Sequence, residues 1–199
     1  MPENLFATIQ FYLIRIIVLL VSLSFHEMAH AWMALRRGDD TAYYQGRLTM
    51  NPLVHIDPLG AVAFLIGGIG WAKPVPINPV RFRGSMKSGI VLTSVAGPVS
   101  NILLALVSYL LGWIAFLLVP VASPIGNLLQ TFFSVFFLSN LALAVFNMLP
   151  VPPLDGYKVI GAVLPNRLYY GIMAYERYIG MAFLLLVLFG RGVIGQVMS

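Results

Sequence analysis

The sequence predicts an all-α polytopic membrane protein, with about four transmembrane helices and a membrane-dipping segment of extended or β-hairpin form. Three observations carry this expectation. Of 199 residues, 59% are hydrophobic and 10% charged, against roughly 45–50% and about 25% in a typical soluble domain. Mean hydropathy is +0.88. Uncharged runs recur that match the roughly 20 residues needed to cross a hydrocarbon core of about 30 Å. The length fits one domain, 1–199.

The first apolar stretch, Leu5–Leu35, is interrupted only by Arg15 and a polar cluster at 26–30. As one helix it would extend about 46 Å at 1.5 Å per residue, more than a bilayer core. Ile16–Leu35, bracketed by Arg15 and by Arg36 and Arg37, is therefore the expected first span. The N-terminal MPENLF lacks a basic n-region, so no cleavable signal peptide is expected and this run stays in the mature chain.

Asp40–Pro58 is polar, and YYQGRLTMNP within it has the alternation and closing proline of an edge strand or hairpin. Leu59–Ala72 is apolar but too short to cross, and it holds Gly67, Gly68 and Gly70. A re-entrant or interfacial segment, within a region of about 46–79, is expected. KPVPINP follows, and its three prolines keep it extended. The second span is expected at 89–119, kinked or started near Gly97–Pro98. The third is expected at 128–149, ended by Pro150, Pro152 and Pro153, and a shorter fourth at 179–194.

Twelve Lys and Arg against seven Asp and Glu give a net charge of +5, which in such a chain is first a topology signal. Basic residues cluster at Arg36–Lys87 and Lys158–Arg177 and are absent from Pro120–Asn127. The positive-inside rule puts the two clusters in the cytosol, the N-terminus outside, and the 59–72 segment in and out on one side. The expected setting is the lipid bilayer of the cell membrane, crossed several times. No feature supports a nucleic-acid partner, and oligomeric state is not legible. The chain has no cysteine, so a metal here can have only nitrogen and oxygen ligands.

His26-Glu27-Met28-Ala29-His30 is an HExxH motif inside an apolar run. Residues four apart on a helix lie about 40° apart around its axis, so both imidazoles can reach one Zn²⁺, with Glu27 beside them to take a proton from the attacking water. At this composition a chance match anywhere in the chain has a probability of roughly 0.2%. His26 would lie about 15 Å from the cytosolic end of its span, a depth at which ionisable groups are costly and usually functional. Helix-end polar residues bonded to neighbours are the bland alternative.

A catalytic zinc takes three protein ligands and keeps one open position. One zinc per chain therefore needs a third donor from Asp39, Asp40, His55, Asp57, Asp155 and Glu176. Asp155, in NMLPVPPLDG, is favoured because a proline-broken helix end frees the chain to aim a carboxylate into the bundle. Its bland alternative is an Asx-turn before Gly156. His55 and Asp57 belong to a polar turn, where a capping histidine is the simpler reading. Asn140 and Asn147 share a helix face, and Asn140 suits helix–helix hydrogen bonding as well as substrate contact. Gly97 and Asn101 in AGPVSN suit helix packing.

HEMAH in an apolar helix, GRLTMNPLVHIDPLG, GWAKPVPINP, AGPVSN and NMLPVPPLDG together resemble the site-2 protease family of intramembrane zinc metalloproteases, in a compact form without PDZ or CBS domain. The resemblance covers about Phe25–Tyr157. It implies that His26, His30 and Asp155 bind Zn²⁺, that Glu27 is general base and acid, and that Asn147 helps hold the substrate strand. The expected activity is a metalloendopeptidase that cuts single-span membrane proteins within or beside their transmembrane segment, from a site opening toward the cytosol. The 46–79 region is the candidate element for trapping an unwound substrate by strand addition. A metal-binding transporter or channel, or an inactive helix-binding pseudoprotease, is the alternative.

Overall fold

The computed structural model describes residues 2–60 and 72–165, together with 168, 171, 175, 178–183 and 185. Helix α1 spans Pro2–Arg36, α2 Thr41–Tyr44, α3 Met86–Leu118, α4 Pro124–Asn147 and α5 Asp155–Val163. Three of them, α1, α3 and α4, are long and apolar enough to cross a membrane. The expected fourth span at 179–194 lies largely outside the described residues.

α1 is one 35-residue helix, roughly 52 Å long. It begins well before Ile16, because nothing in 2–15 breaks a helix. It stops where Gly38, at φ +102°, turns left-handed. There the Gly38 amide donates to the Leu35 carbonyl and the Asp39 amide to that of Ala34, which satisfies carbonyls left open at the helix end. α3 is capped by Ser85, whose hydroxyl accepts from the Ser88 amide, and it runs through Pro98. It therefore starts before Gly97–Pro98, a correction to one of the two expectations there. Ser123 caps α4, with Pro124 in its first turn.

The buried face of α3 is small and polar: Gly89, Thr93, Gly97, Asn101, Ala105 and Ser108 recur every three or four residues. Such a stripe lets helices approach closely where lipid removes the hydrophobic drive for association. α3 accordingly packs against α1, α4 and α5. The outer faces carry exposed Leu103, Leu106, Leu110, Trp113 and Leu117.

The expected edge strand at YYQGRLTMNP is not formed. Residues 41–44 are a helical turn and Pro52–Val54 a 3₁₀ turn, because Asp39 accepts from the Thr41 amide and Asn51 from the Leu53 amide, and such local bonds compete with a ladder. Among the described residues there is no strand. One antiparallel bridge joins Ile56 to Ala72, and the Lys73 amide donates to the His55 carbonyl at 2.8 Å. The chain thus leaves at 56 and returns beside itself at 72. The intervening 61–71 segment lies outside the described residues. Val75 then packs in a small core with Ala31 of α1 and Ala42, flanked by Leu48 and Ile77.

Candidate metal centre

The HExxH segment lies in the last third of α1, and all three of its ionisable side chains are buried. Asp155 is the first residue of α5, after Leu154 in extended conformation. Its placement therefore comes from a helix start, not from a chain free of helical constraint. α5 can begin there because Gly156 presses on the backbone of Met148 and Leu149, where a Cβ would collide.

These elements bring three donor atoms together. His26 Nε2 and His30 Nε2 are 3.0 Å apart, and each lies 3.1 Å from Asp155 Oδ2. The second nitrogen of each ring is committed elsewhere. His26 Nδ1 is 2.6 Å from Asn101 Oδ1, and His30 Nδ1 is 2.7 Å from the Thr93 carbonyl. Both partners are acceptors, so each Nδ1 carries a proton and each ring turns its Nε2 toward the triangle, as a metal-ligating imidazole does. Two ring nitrogens and a carboxylate oxygen this close require a positive charge among them, from a shared proton or from a metal ion. Donors about 2 Å from a tetrahedral zinc are separated by roughly 3.3 Å, so the set fits that ion.

Close approach is built into α3. A Cβ at Gly97 would collide with His26 and His30, so glycine there lets the rings lie against the helix. Glu27, beside His26, accepts a hydrogen bond from the Val75 amide at 3.1 Å. Lys158 Nζ is 3.3 Å from Asp155 Oδ1, the oxygen turned away from the triangle. A cavity of about 280 Å³ opens between the Val75–Ile77 segment, Thr93 and Ser94 of α3, and Tyr157 and Lys158.

The other expected donors are used elsewhere. Asp39 is fully buried and accepts from the Thr41 and Asn78 amides. Asp40 pairs with Arg81, and Asp57 accepts from the Gly60 amide. His55 Nε2 contacts the Thr49 carbonyl at 2.9 Å, in a turn. Glu176 lies outside the described residues. Asn140 is wholly buried, and its amide is spent on Asn101, Ser22 and Phe136. Of its two readings, these bonds are those of the helix–helix one. Asn147 donates to the Leu143 carbonyl of its own helix.

The description Peptidase family M50 matches residues 114–187. A Bacillus subtilis (strain 168) protein assigned by name to the zinc metalloproteases, YwhC, is 42% identical over 178 residues, covering 86% of this chain and 78% of its own. The chain belongs to peptidase family M50. Rip2 of Mycolicibacterium smegmatis is 33% identical over 74% of this chain and 54% of its own, and MJ0611 of Methanocaldococcus jannaschii 30% over 75% and 70%; both carry similar names. This chain spans about half the length of Rip2. No solved structure gives a significant match. As an M50 member the chain is a multi-pass membrane zinc metalloprotease, a hydrolase whose cofactor is Zn²⁺.

The Thr93 carbonyl and the Val75 amide escaped the sequence reading of this M50 site, because main-chain groups leave no residue-type signal. Asn101 did leave one: an amide inside an apolar span must find a partner. That requirement does not say that the partner is a ligand histidine.

Proposed function

We propose that the chain cleaves membrane proteins within or beside their transmembrane segments, in regulated intramembrane proteolysis, with His26, His30 and Asp155 holding one Zn²⁺ and Glu27 acting as general base and acid. The carrying observation is the donor triangle, buried between two helices long and apolar enough to cross a membrane. When bound, zinc supplies the Lewis acidity that polarises a peptide carbonyl and makes water a nucleophile near neutral pH. Glu27 takes the proton from that water and passes it to the leaving amine.

The substrate strand lies against residues 72–78, in the cavity beside Thr93 and Lys158. Pro74 and Pro76 have no N–H, and the Lys73 and Asn78 amides are bonded to His55 and Asp39, so between Lys73 and Asn78 the amides left for a substrate are those of Val75 and Ile77. The Val75 amide is already bonded to Glu27. An arriving substrate carbonyl exchanges with Glu27 at that amide and releases the carboxylate for its task. Asn147 holds the far part of the strand, and the 46–79 region admits substrate and, apart from giving up Glu27 at Val75, supplies no reacting group. The fourth span at 179–194, the N-terminus outside and a site open to the cytosol complete the arrangement.

Co-expression with tagged single-span membrane proteins tests the reading. Uncut forms should accumulate with Glu27→Gln and not with wild type. An ion path or an inactive scaffold predicts no difference between the two. Gln45→Cys and Ala122→Cys test orientation with an impermeant maleimide in intact cells: labelling at 122 and not at 45 is expected, and the converse reverses it.

A further inference from the structure

Ser22, Asn101 and Asn140 come from three different helices, and none exposes any surface. They form one hydrogen-bonded chain ending on a zinc ligand. Ser22 Oγ donates to the Val18 carbonyl at 2.7 Å. Asn140 Nδ2 donates to Ser22 Oγ and to the Phe136 carbonyl, both at 2.9 Å. Asn101 Nδ2 donates to Asn140 Oδ1 at 2.9 Å, and Asn101 Oδ1 faces His26 Nδ1 at 2.6 Å.

The chain can run in one direction only. Turning Asn140 over would set its oxygen against the Phe136 carbonyl and its amino group against that of Asn101. Turning Asn101 over would set its amino group on the His26 proton and its oxygen against that of Asn140. With Asn140 fixed by Phe136, Asn101 must present oxygen to His26, and an acceptor at Nδ1 places the ring proton there. Buried polar groups in so dry a setting are costly unless all are paired, so the order is strongly enforced. His30 needs no such device, because its Nδ1 meets a main-chain carbonyl that can only accept.

We propose that Asn101, oriented by Asn140 and Ser22, is a positioning residue that fixes the His26 tautomer and ring so that Nε2 is offered to the metal. An amide does this without charge, so the donor set keeps Asp155 as its single anion. The inference rests on the ligand assignment above. Partners of this kind typically hold 10–100-fold in metal affinity.

The test is zinc affinity of the full chain in detergent, read by chelator competition, with thermal unfolding of the metal-free protein alongside. Asn101→Leu, similar in volume and unable to accept, should bind zinc 10–100-fold more weakly. Asn101→Asp still accepts from His26 but opposes Asn140 Oδ1; it should unfold at lower temperature yet bind zinc at least as tightly as wild type. Asn140→Ala should fall between Asn101→Leu and wild type. A purely structural role predicts instead that affinity follows stability, so Asn101→Asp loses metal with Asn101→Leu, and that result overturns the proposal. So does wild-type affinity in Asn101→Leu while His26→Ala is weak. If His26→Ala itself binds as wild type, the ligand assignment falls, and the relay with it. Should Asn101→Leu not fold, Asn101→Asp decides alone: retained affinity at reduced stability supports the relay, and a tenfold loss overturns it.

Discussion

On one side of the donor triangle, α1, α3, α4 and α5 contribute side chains at helical spacing; on the other, residues 72–78 contribute mostly main chain. His26, His30, Asn101, Asn140 and Asp155 each act through a named functional group. Residues 72–78 act through an amide at Val75 and through the Lys73 and Pro74 carbonyls, which Arg47 clamps. Such a division sets side chains held on rigid helices against a stretch whose main chain makes the contacts; in the proposed function that stretch is the edge that meets the substrate.

The comparison breaks most visibly at the ligands. His26→Ala, His30→Ala and Asp155→Ala should each lose zinc, measured by elemental analysis after mild chelation, with cleavage at background. Glu27→Gln should keep the metal and lose roughly 10²–10⁴-fold in rate, the range for a general base. Equal zinc in wild type and Asp155→Ala would move the third ligand elsewhere.

Glycines sharpen the contrast next. Gly97→Ala drives a methyl into both histidines, and should weaken zinc retention and cost about 1–3 kcal/mol of stability. Gly46→Ala meets no atom, but it sits at φ +67°. It should cost about 1 kcal/mol in unfolding experiments, as αL strain does, and leave zinc content unchanged.

What was legible follows the same line. The three long helices and the HExxH face were readable because length, hydropathy and four-residue spacing are properties of residue types. Asp155 was readable as one of few acidic residues beside a helix break, although the short helix it opens was not. The 43–52 strand was misread because period-2 alternation there is outweighed by side-chain-to-backbone bonds from Asp39 and Asn51. The bond from Glu27 to Val75 spans 48 residues between a side chain and an amide, and no local pattern encodes it.

Smaller effects probe the backbone side. Arg47→Gln should leave zinc in place and lower cleavage of a membrane-embedded substrate roughly 3–10-fold, the equivalent of one or two hydrogen bonds. A short unfolded peptide should be cut nearly as well as by wild type; equal loss on both would make the clamp part of the catalytic frame. Least of all, His55→Asn should cost about 1 kcal/mol in thermal unfolding, one hydrogen bond, with zinc content unchanged. Loss of metal there would overturn its place as a turn residue.

His26 and Asp155 meet across 129 residues of sequence, and that separation has a consequence for biosynthesis. At about 5–20 residues per second, the ribosome needs roughly 6–26 s to deliver the third donor after the first. During that interval the nascent chain holds two imidazoles and a glutamate in the membrane but cannot close the triangle. The donor set is therefore complete only once α5 has packed against α3. A truncation before residue 155 should be proteolytically silent even with its HExxH helix intact.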